Sequence, residues 1–554
     1  MVEPVNGSVA RSGRRIEMYD TTLRDGTQGA EIALTLADKL KLTRALDELG
    51  FDYIEGGYPL SNPKDSAYFE QVKSLGLKHA KVTAFGMTRR KGVEAKDDPG
   101  MRALVAAEAP IIAIVGKTWD LHVDEVLRVS HEENLAMIRD SVGFCAQAGS
   151  TEQVFYDAEH FFDGYKANPD YALATLKAAL EGGATRLVLC DTNGGSLPDF
   201  IKEAVTAVRS EFGLGDSLEG ASGPLLAIHV HNDGALAVAN SMAALEAGCV
   251  QVQGTINGIG ERCGNVDLIP IAANLRLKLG HDCLAEDAVP GLHGLAMLVY
   301  ELAGMTPVAG QPYVGANAFT HKGGMHVHAV QRIAHSYEHV PPETVGNQRR
   351  VLVSELAGAS NIAAQVGVKF GIEEDKATQR KVLEKIQDLE HEGYQFESAE
   401  ASMELMVYEA LDKRPAFWDL HHYRCVILKR DGDGETSTEG TVKLSVNDQT
   451  EYRVAEGDGP VNALYEALVK CLGEHYPEVR RIHLSDYKVR VVNPTAETAA
   501  RVRVVIEFQS TAEDGTTRVF STVGVDENIV EASWEAISDA FQYLLIETRA
   551  GVEC

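Results

Sequence analysis

Apolar positions in the first half of the chain recur in two alternating rhythms. Short runs rich in β-branched and aromatic residues fall at 16–20, 53–55, 81–85, 111–115, 153–157, 186–191, 225–231 and 250–255. Between them lie segments with helical apolar spacing, such as Leu36, Lys39, Leu40, Thr43, Leu46 and Leu49. The first rhythm predicts strands and the second amphipathic helices. Eight strand–helix units in about 265 residues match the length and order of a (β/α)8 barrel. An open doubly wound sheet would carry GxGxxG after its first strand, where this chain has Thr21-Thr22-Leu23-Arg24-Asp25-Gly26.

Beyond the barrel the rhythm changes twice. Residues 281–415 read mainly as helices, interrupted by a histidine-rich loop around His321, His326 and His328 and by Pro341-Pro342. From about Tyr423, three strand patterns precede a helix, and the sequence of elements then repeats. The helix starts Asn462-Ala463-Leu464-Tyr465-Glu466-Ala467 and Glu531-Ala532-Ser533-Trp534-Glu535-Ala536 are alike, which marks an internal βββα repeat. The expected fold is α/β: a flexible tail at 1–14, a (β/α)8 TIM barrel over 15–285, a helical linker region over 286–415 and a C-terminal α+β domain, (βββα)2, over 416–554. The last carries no evident nucleophile or metal cluster, which suits regulation or dimerisation.

Composition narrows the partners. At 554 residues, 45% hydrophobic and 24% charged, the chain is a multidomain globular protein. A net charge of −29 excludes general attraction to nucleic acid, which needs a basic surface. Its eight cysteines form no CxxC pair, as expected for reduced cytoplasmic thiols. The polar first fifteen residues lack an apolar core for a signal peptide. No apolar stretch nears the roughly 18 residues of a membrane span.

The chemistry gathers at strand ends, the active rim of a barrel of this kind. Side chains two apart on a strand share a face, so His229 and His231 leave the seventh strand side by side, in reach of one divalent metal. Asp25, after the first strand, is the expected third ligand, because strands one and seven are separated only by strand eight. Asn265, in the loop after strand eight, approaches the same ion. Two imidazoles and one carboxylate leave positions open for the carboxylate and ketone oxygens of a 2-oxo acid, whose ketone the metal would polarise. Arg24 is placed to stabilise charge developing on that oxygen.

The stretches Asp20-Thr21-Thr22-Leu23-Arg24-Asp25-Gly26-Thr27-Gln28, His229-Val230-His231-Asn232-Asp233 and Asn257-Gly258-Ile259-Gly260-Glu261-Arg262-Cys263-Gly264-Asn265 resemble the isopropylmalate, homocitrate and citramalate synthase family. The resemblance runs from about Ile16 to the C-terminus, where Gly457-Asp458-Gly459-Pro460-Val461-Asn462-Ala463-Leu464 is similar to part of the family's allosteric domain. Within the family, Phe155-Tyr156-Asp157-Ala158-Glu159-His160-Phe161-Phe162-Asp163-Gly164 most resembles the citramalate synthase group. So does Thr27, where isopropylmalate synthases usually carry Glu. The resemblance implies a Claisen condensation of acetyl-CoA, as co-substrate, with pyruvate, giving (R)-citramalate for threonine-independent isoleucine synthesis.

Residue by residue, it implies Asp25, His229 and His231 as ligands of zinc, manganese or magnesium, with Asn265 nearby. Arg24 would stabilise the oxyanion, and Glu159 and Thr192 would hold the 2-oxo acid. His326 matches the family's linker histidine, which reaches the active site of the other subunit, and Tyr337 matches its companion. A base must remove a proton from the acetyl methyl; His326, working with Glu159 and a water, is the candidate. His321 and His328 read as ordinary loop histidines. A homodimer, an isoleucine effector at the C-terminal domain and a cytoplasmic location are also implied. Competing expectations are a 2-isopropylmalate synthase taking 2-oxoisovalerate and a homocitrate synthase, which would need an extra basic contact. A lyase or aldolase of the same branch is a further alternative, against which the βββα domain counts, since such lyases usually lack it. The intact Arg24, Asp25, His229 and His231 argue against a merely ligand-sensing protein.

Overall fold

The eight strand runs pair in parallel and in chain order into a closed barrel. Its strands are β1 (Glu17–Asp20), β2 (Tyr53–Gly57), β3 (Lys81–Met87), β4 (Ile111–Lys117), β5 (Gln153–Glu159), β6 (Arg186–Asp191), β7 (Leu225–Val230) and β8 (Gln251–Gly254). The computed structural model describes residues 13–285, 287–352, 368–372, 375–429, 436–493, 500–512 and 517–549. Most of the expected tail, residues 1–12, lies outside the described residues; Arg14 bonds the carbonyls of Asp216 and Leu245.

Alternation along each strand sorts its side chains. One parity faces the helices: Met18, Ile54, Ile112, Ile114, Val154, Leu187 and Ile228 are buried in the outer core. The other faces the barrel axis: Tyr19, Tyr53, Ile111, Ala113, Phe155, Val188, Cys190 and Ala227 pack together there. The Phe155 ring lies 5.2 Å from Tyr53 and 6.2 Å from Tyr19. Beneath them Glu17 accepts hydrogen bonds from Tyr53, Arg186 and Gln251, each 3.0 Å long. The interior is a filled core, so the next inward positions up each strand emerge at the C-terminal mouth. Helix starts are fixed by side-chain caps, among them Asn62, Asp98 and Asn168, each followed by proline. Such a cap is typically worth ~1 kcal/mol, and proline's fixed φ suits the first helical position.

The chain forms two compact units, Met1–Phe319 with Val340–Gln348, and Thr320–His339 with Arg349–Cys554. In the second, β9 (Thr320–His321) pairs in parallel with β10 (Arg350–Val351). The stretch expected as a histidine-rich loop instead forms a helix, Gly324–Arg332, carrying His326 and His328. The two glycines read as a linker, but Val327 and Val330 lie three apart and are buried, the stripe that anchors one helix face.

The βββα repeat is present. β11 (Asp419–Lys429), β12 (Thr436–Val446) and β13 (Gln449–Gly457) form one antiparallel sheet, followed by the helix Pro460–Leu472. β14 (Ile482–Val491), β15 (Val502–Thr511) and β16 (Thr517–Asp526) form the other, followed by Ile529–Arg549. Both first strands break register near their starts, at Leu420/His422 and Leu484/Asp486, so the repeat extends to a shared irregularity. One core, including Leu468, Phe508, Trp534 and Phe541, joins the two halves. The helix Glu400–Ala410 contributes Ala401 and Leu405 to that core and packs Met403 and Met406 with Val523 and Val525.

Candidate active site and metal centre

The inward parity that fills the barrel delivers the site. Above Ala227 come His229 and His231; above Phe155, Asp157 and Glu159; above Val188, Cys190 and Thr192; above Ala113, Val115 and Lys117. With Arg24, Asp25, Phe85, Met87 and Arg262 these line a cavity of about 270 Å3 at the C-terminal mouth. A roomier hollow of about 890 Å3 beside Gly213–Gly223, at the other end of β7, holds no such convergence.

Asp25, His229 and His231 are buried and offer ligand atoms that all lie within 4.8 Å of one another. Their Nε2 atoms are 3.4 Å apart, and His229 Nε2 is 3.5 Å from Asp25 Oδ2. Donors about 2.1 Å from one ion lie roughly this far apart. Asp25 Oδ1 and Asn265 Oδ1 are buried without a hydrogen-bond partner among the described residues, and a backbone bridge sets Asn265 opposite His231. Burial keeps both imidazoles neutral: it lowers His229, and with help from His229 it takes His231 down to about 4. Burial opposes ionisation of Asp25 too, but Arg24 and the imidazoles outweigh it and hold the carboxyl at about 2. Two neutral imidazoles and one carboxylate, short of partners and buried, fit a divalent cation.

Arg24 is held in a fixed pose. Its Nε donates to Glu55 Oε2 at 2.6 Å, its Nη1 to Asp25 Oδ2 at 3.0 Å, and its guanidinium lies 3.9 Å from the centre of the Phe85 ring. Glu55 is fully buried and also accepts from Tyr19 and Thr21. Against the cost of burial, Glu55 and Asp25 keep the guanidinium charged. Glu159 is ion-paired with Lys117. The backbone N–H of His160, in the left-handed region at φ 56°, donates to Thr192 Oγ1 at 2.8 Å, which leaves the Thr192 hydroxyl hydrogen for another acceptor. Arg262 bonds both oxygens of Asp233 (2.9 and 3.0 Å) and the Thr192 carbonyl (2.7 Å), tying the loop after β8 to those after β6 and β7.

The structure thus gathers Arg24, Asp25, Glu159, Thr192, His229, His231 and Asn265 in one region. His326 and Tyr337 belong to the second compact unit, where their ring centres are 4.4 Å apart and both are exposed. His321, expected as an ordinary loop histidine, lies in β9, buried against Glu338 at 3.0 Å, and Arg349 holds the same carboxylate. Sequence reasoning missed the support given by Glu55 and Phe85 to Arg24 and the place of Cys190 in the cavity wall. An aromatic ring or a thiol inside a strand reads as core. The available signal was parity: Cys190 lies two residues before Thr192, as Asp157 lies two before Glu159.

Comparison with known proteins agrees with this architecture. Residues 15–288 match the HMGL-like family, residues 313–394 the homocitrate synthase post-HMGL domain-like family, and residues 397–545 the LeuA allosteric (dimerisation) domain. An (R)-citramalate synthase of Aquifex aeolicus is 46% identical over 96% of this chain and 98% of its own. One from Geobacter sulfurreducens is 47% identical over 96% and 97%. A 2-isopropylmalate synthase of Stenotrophomonas maltophilia is 30% identical over 97% and 96%. The chain belongs to the (R)-citramalate synthase family of metal-dependent, acyl-transferring condensing enzymes.

Proposed function

We propose that the barrel site condenses acetyl-CoA with pyruvate and hydrolyses the thioester, releasing (R)-citramalate and CoA. The observation that carries the chemistry is the convergence of Asp25, His229 and His231 beside the anchored Arg24. The acceptor is favoured by 41–47% identity to five (R)-citramalate synthases against about 30% to 2-isopropylmalate synthases. Asp25, His229 and His231, with Asn265 beside them, would hold zinc, manganese or magnesium, which when bound supplies Lewis acidity to the acceptor's ketone. Arg24, unable to turn away from Glu55, meets the negative charge that develops on the ketone oxygen. The free hydrogen of Thr192 donates to the acceptor's carboxylate, and Glu159, held by Lys117, completes the acceptor's surroundings.

In the same reading a base takes one proton from the acetyl methyl. The carbon left behind bonds to the ketone carbon, the ketone oxygen gains a proton, and water then splits the thioester to release the CoA thiol. His326, supplied with Tyr337 by a second copy of the chain, is the proposed base, working with Glu159 and a water. The dimerisation-domain match at 397–545 supports a homodimer, and residues 423–554 are the proposed seat of isoleucine inhibition. No helix among the described residues is long and apolar enough to cross a membrane, and the cytoplasm is the proposed location.

The test is an acceptor panel. Purified protein with added divalent metal should release free CoA thiol from acetyl-CoA faster with pyruvate than with 2-oxoisovalerate or 2-oxoglutarate. The reverse preference would sink the assignment.

A further inference from the structure

Asp157 is a buried cavity-lining acid that the proposed chemistry leaves idle. It stands on the inward face of β5, in register with Val115 of β4 and Val188 of β6. It is only 4% exposed, and its Oδ1 has no hydrogen-bond partner among the described residues. The cavity's cations are engaged elsewhere: Arg24 with Glu55 and Asp25, Lys117 with Glu159, Arg262 with Asp233. Phe85, Met87, Val115 and Cys190 form the apolar part of the same cavity wall. Burial, followed by the charge of Glu55, pushes its carboxyl up to about 8. Asp157 therefore lacks support from the protein and must draw a hydrogen-bond partner from whatever fills the cavity.

We propose that Asp157 selects the acceptor's side chain, admitting small 2-oxo acids because they leave solvent bonded to its carboxyl. This rests on the acceptor reading above. A methyl group leaves room for that solvent. An isopropyl group would fill the apolar space and strip it, stranding a buried polar group without a partner. A carboxylate arm, as in 2-oxoglutarate, would set a second acid against the first. Stranding a buried polar group discriminates more sharply than apolar fit alone, which separates one methylene only weakly.

The test measures kcat/KM of the metal-loaded, full-length protein for pyruvate, 2-oxobutanoate and 2-oxoisovalerate, with thermal melting as the check on folding. Asp157→Val removes the polar group at similar bulk. The ratio of kcat/KM for 2-oxoisovalerate to that for pyruvate should then rise about tenfold or more, the size expected for relieving a stranded polar group. Asp157→Ala should shift it in the same direction and serves if the Val variant does not fold. Asp157→Asn keeps a polar group and should hold the ratio within about threefold of wild type. An unchanged ratio in both apolar variants, beside a wild type that prefers pyruvate, overturns this proposal alone. Equal loss for every acceptor with unchanged melting also overturns it. A wild type that prefers 2-oxoisovalerate overturns the acceptor reading and this proposal with it.

Discussion

Asp25 is under two opposing pressures. Burial favours its neutral form, while Arg24 and two imidazoles favour the charged one, and the charge wins. Such an arrangement is expensive for an empty fold and sensible for one that binds a cation. Asp25→Ala and His229→Ala should each reduce metal-dependent turnover on the order of 10³-fold or more. Metal content by mass spectrometry should fall with it while the melting transition is retained; near-normal activity or full metal content would reject the ligand set. At this scale the sequence was most informative where chemistry and parity coincide. His229-Val230-His231 announces a shared face, and Arg24-Asp25 follows the first strand. What stayed hidden was long-range support. Glu55 lies 31 residues from Arg24, and no local pattern says that one anchors the other. Asp157 was visible inside the strand run 153–157, but its lack of a partner depends on side chains that neighbouring strands bring to it.

The loop after β8 shows how an element is made to serve a site. It runs between Gly258 and Asn265 and ends beside His231, with Asn232 N–H donating to the Gly264 carbonyl at 2.9 Å. Gly264 sits at φ 82°, and a Cβ there would lie 1.9 Å from the Gly258 carbonyl oxygen. Only glycine fits that position without moving the loop. Gly264→Ala should therefore displace Asn265 and weaken metal retention roughly 10- to 100-fold, as losing outer support of a metal site does. Titration with a competing chelator would measure it, and unchanged retention would mean that the loop does not position the centre. Barrel strands were legible to within one or two residues because each keeps its apolar run. The helix bearing His326 was not, because Gly323-Gly324 and Lys322 outweighed a two-residue apolar stripe in any local reading.

At the scale of the molecule, the excess negative charge is spread over a chain whose two units do different kinds of packing. One is a parallel barrel wrapped in helices; the other is built around a duplicated sheet-and-helix module whose repetition the sequence displays openly. Isoleucine at saturating concentration should inhibit the full-length protein and raise its apparent melting temperature by a few degrees, since a ligand at about 100 times its Kd adds ~2.7 kcal/mol. Leucine serves as the control, and no effect of isoleucine on either measurement would remove it as effector. A truncation near Phe417 is a poor substitute for this experiment, because it would strip Ala401 and Leu405 of the core they share with Leu468 and Phe541. The boundary between the units was less legible than either unit, because the chain passes between them three times, after Phe319, His339 and Gln348. That path constrains how the protein can be recombined. A chimera joined at one crossover between two relatives must take residues 320–339 from the parent of its barrel or leave 340–348 with the parent of its regulatory half. In the first case His326 and Tyr337 are parted from the unit they were inherited in, and in the second residues 340–348 are, so exchange of a whole unit needs three junctions.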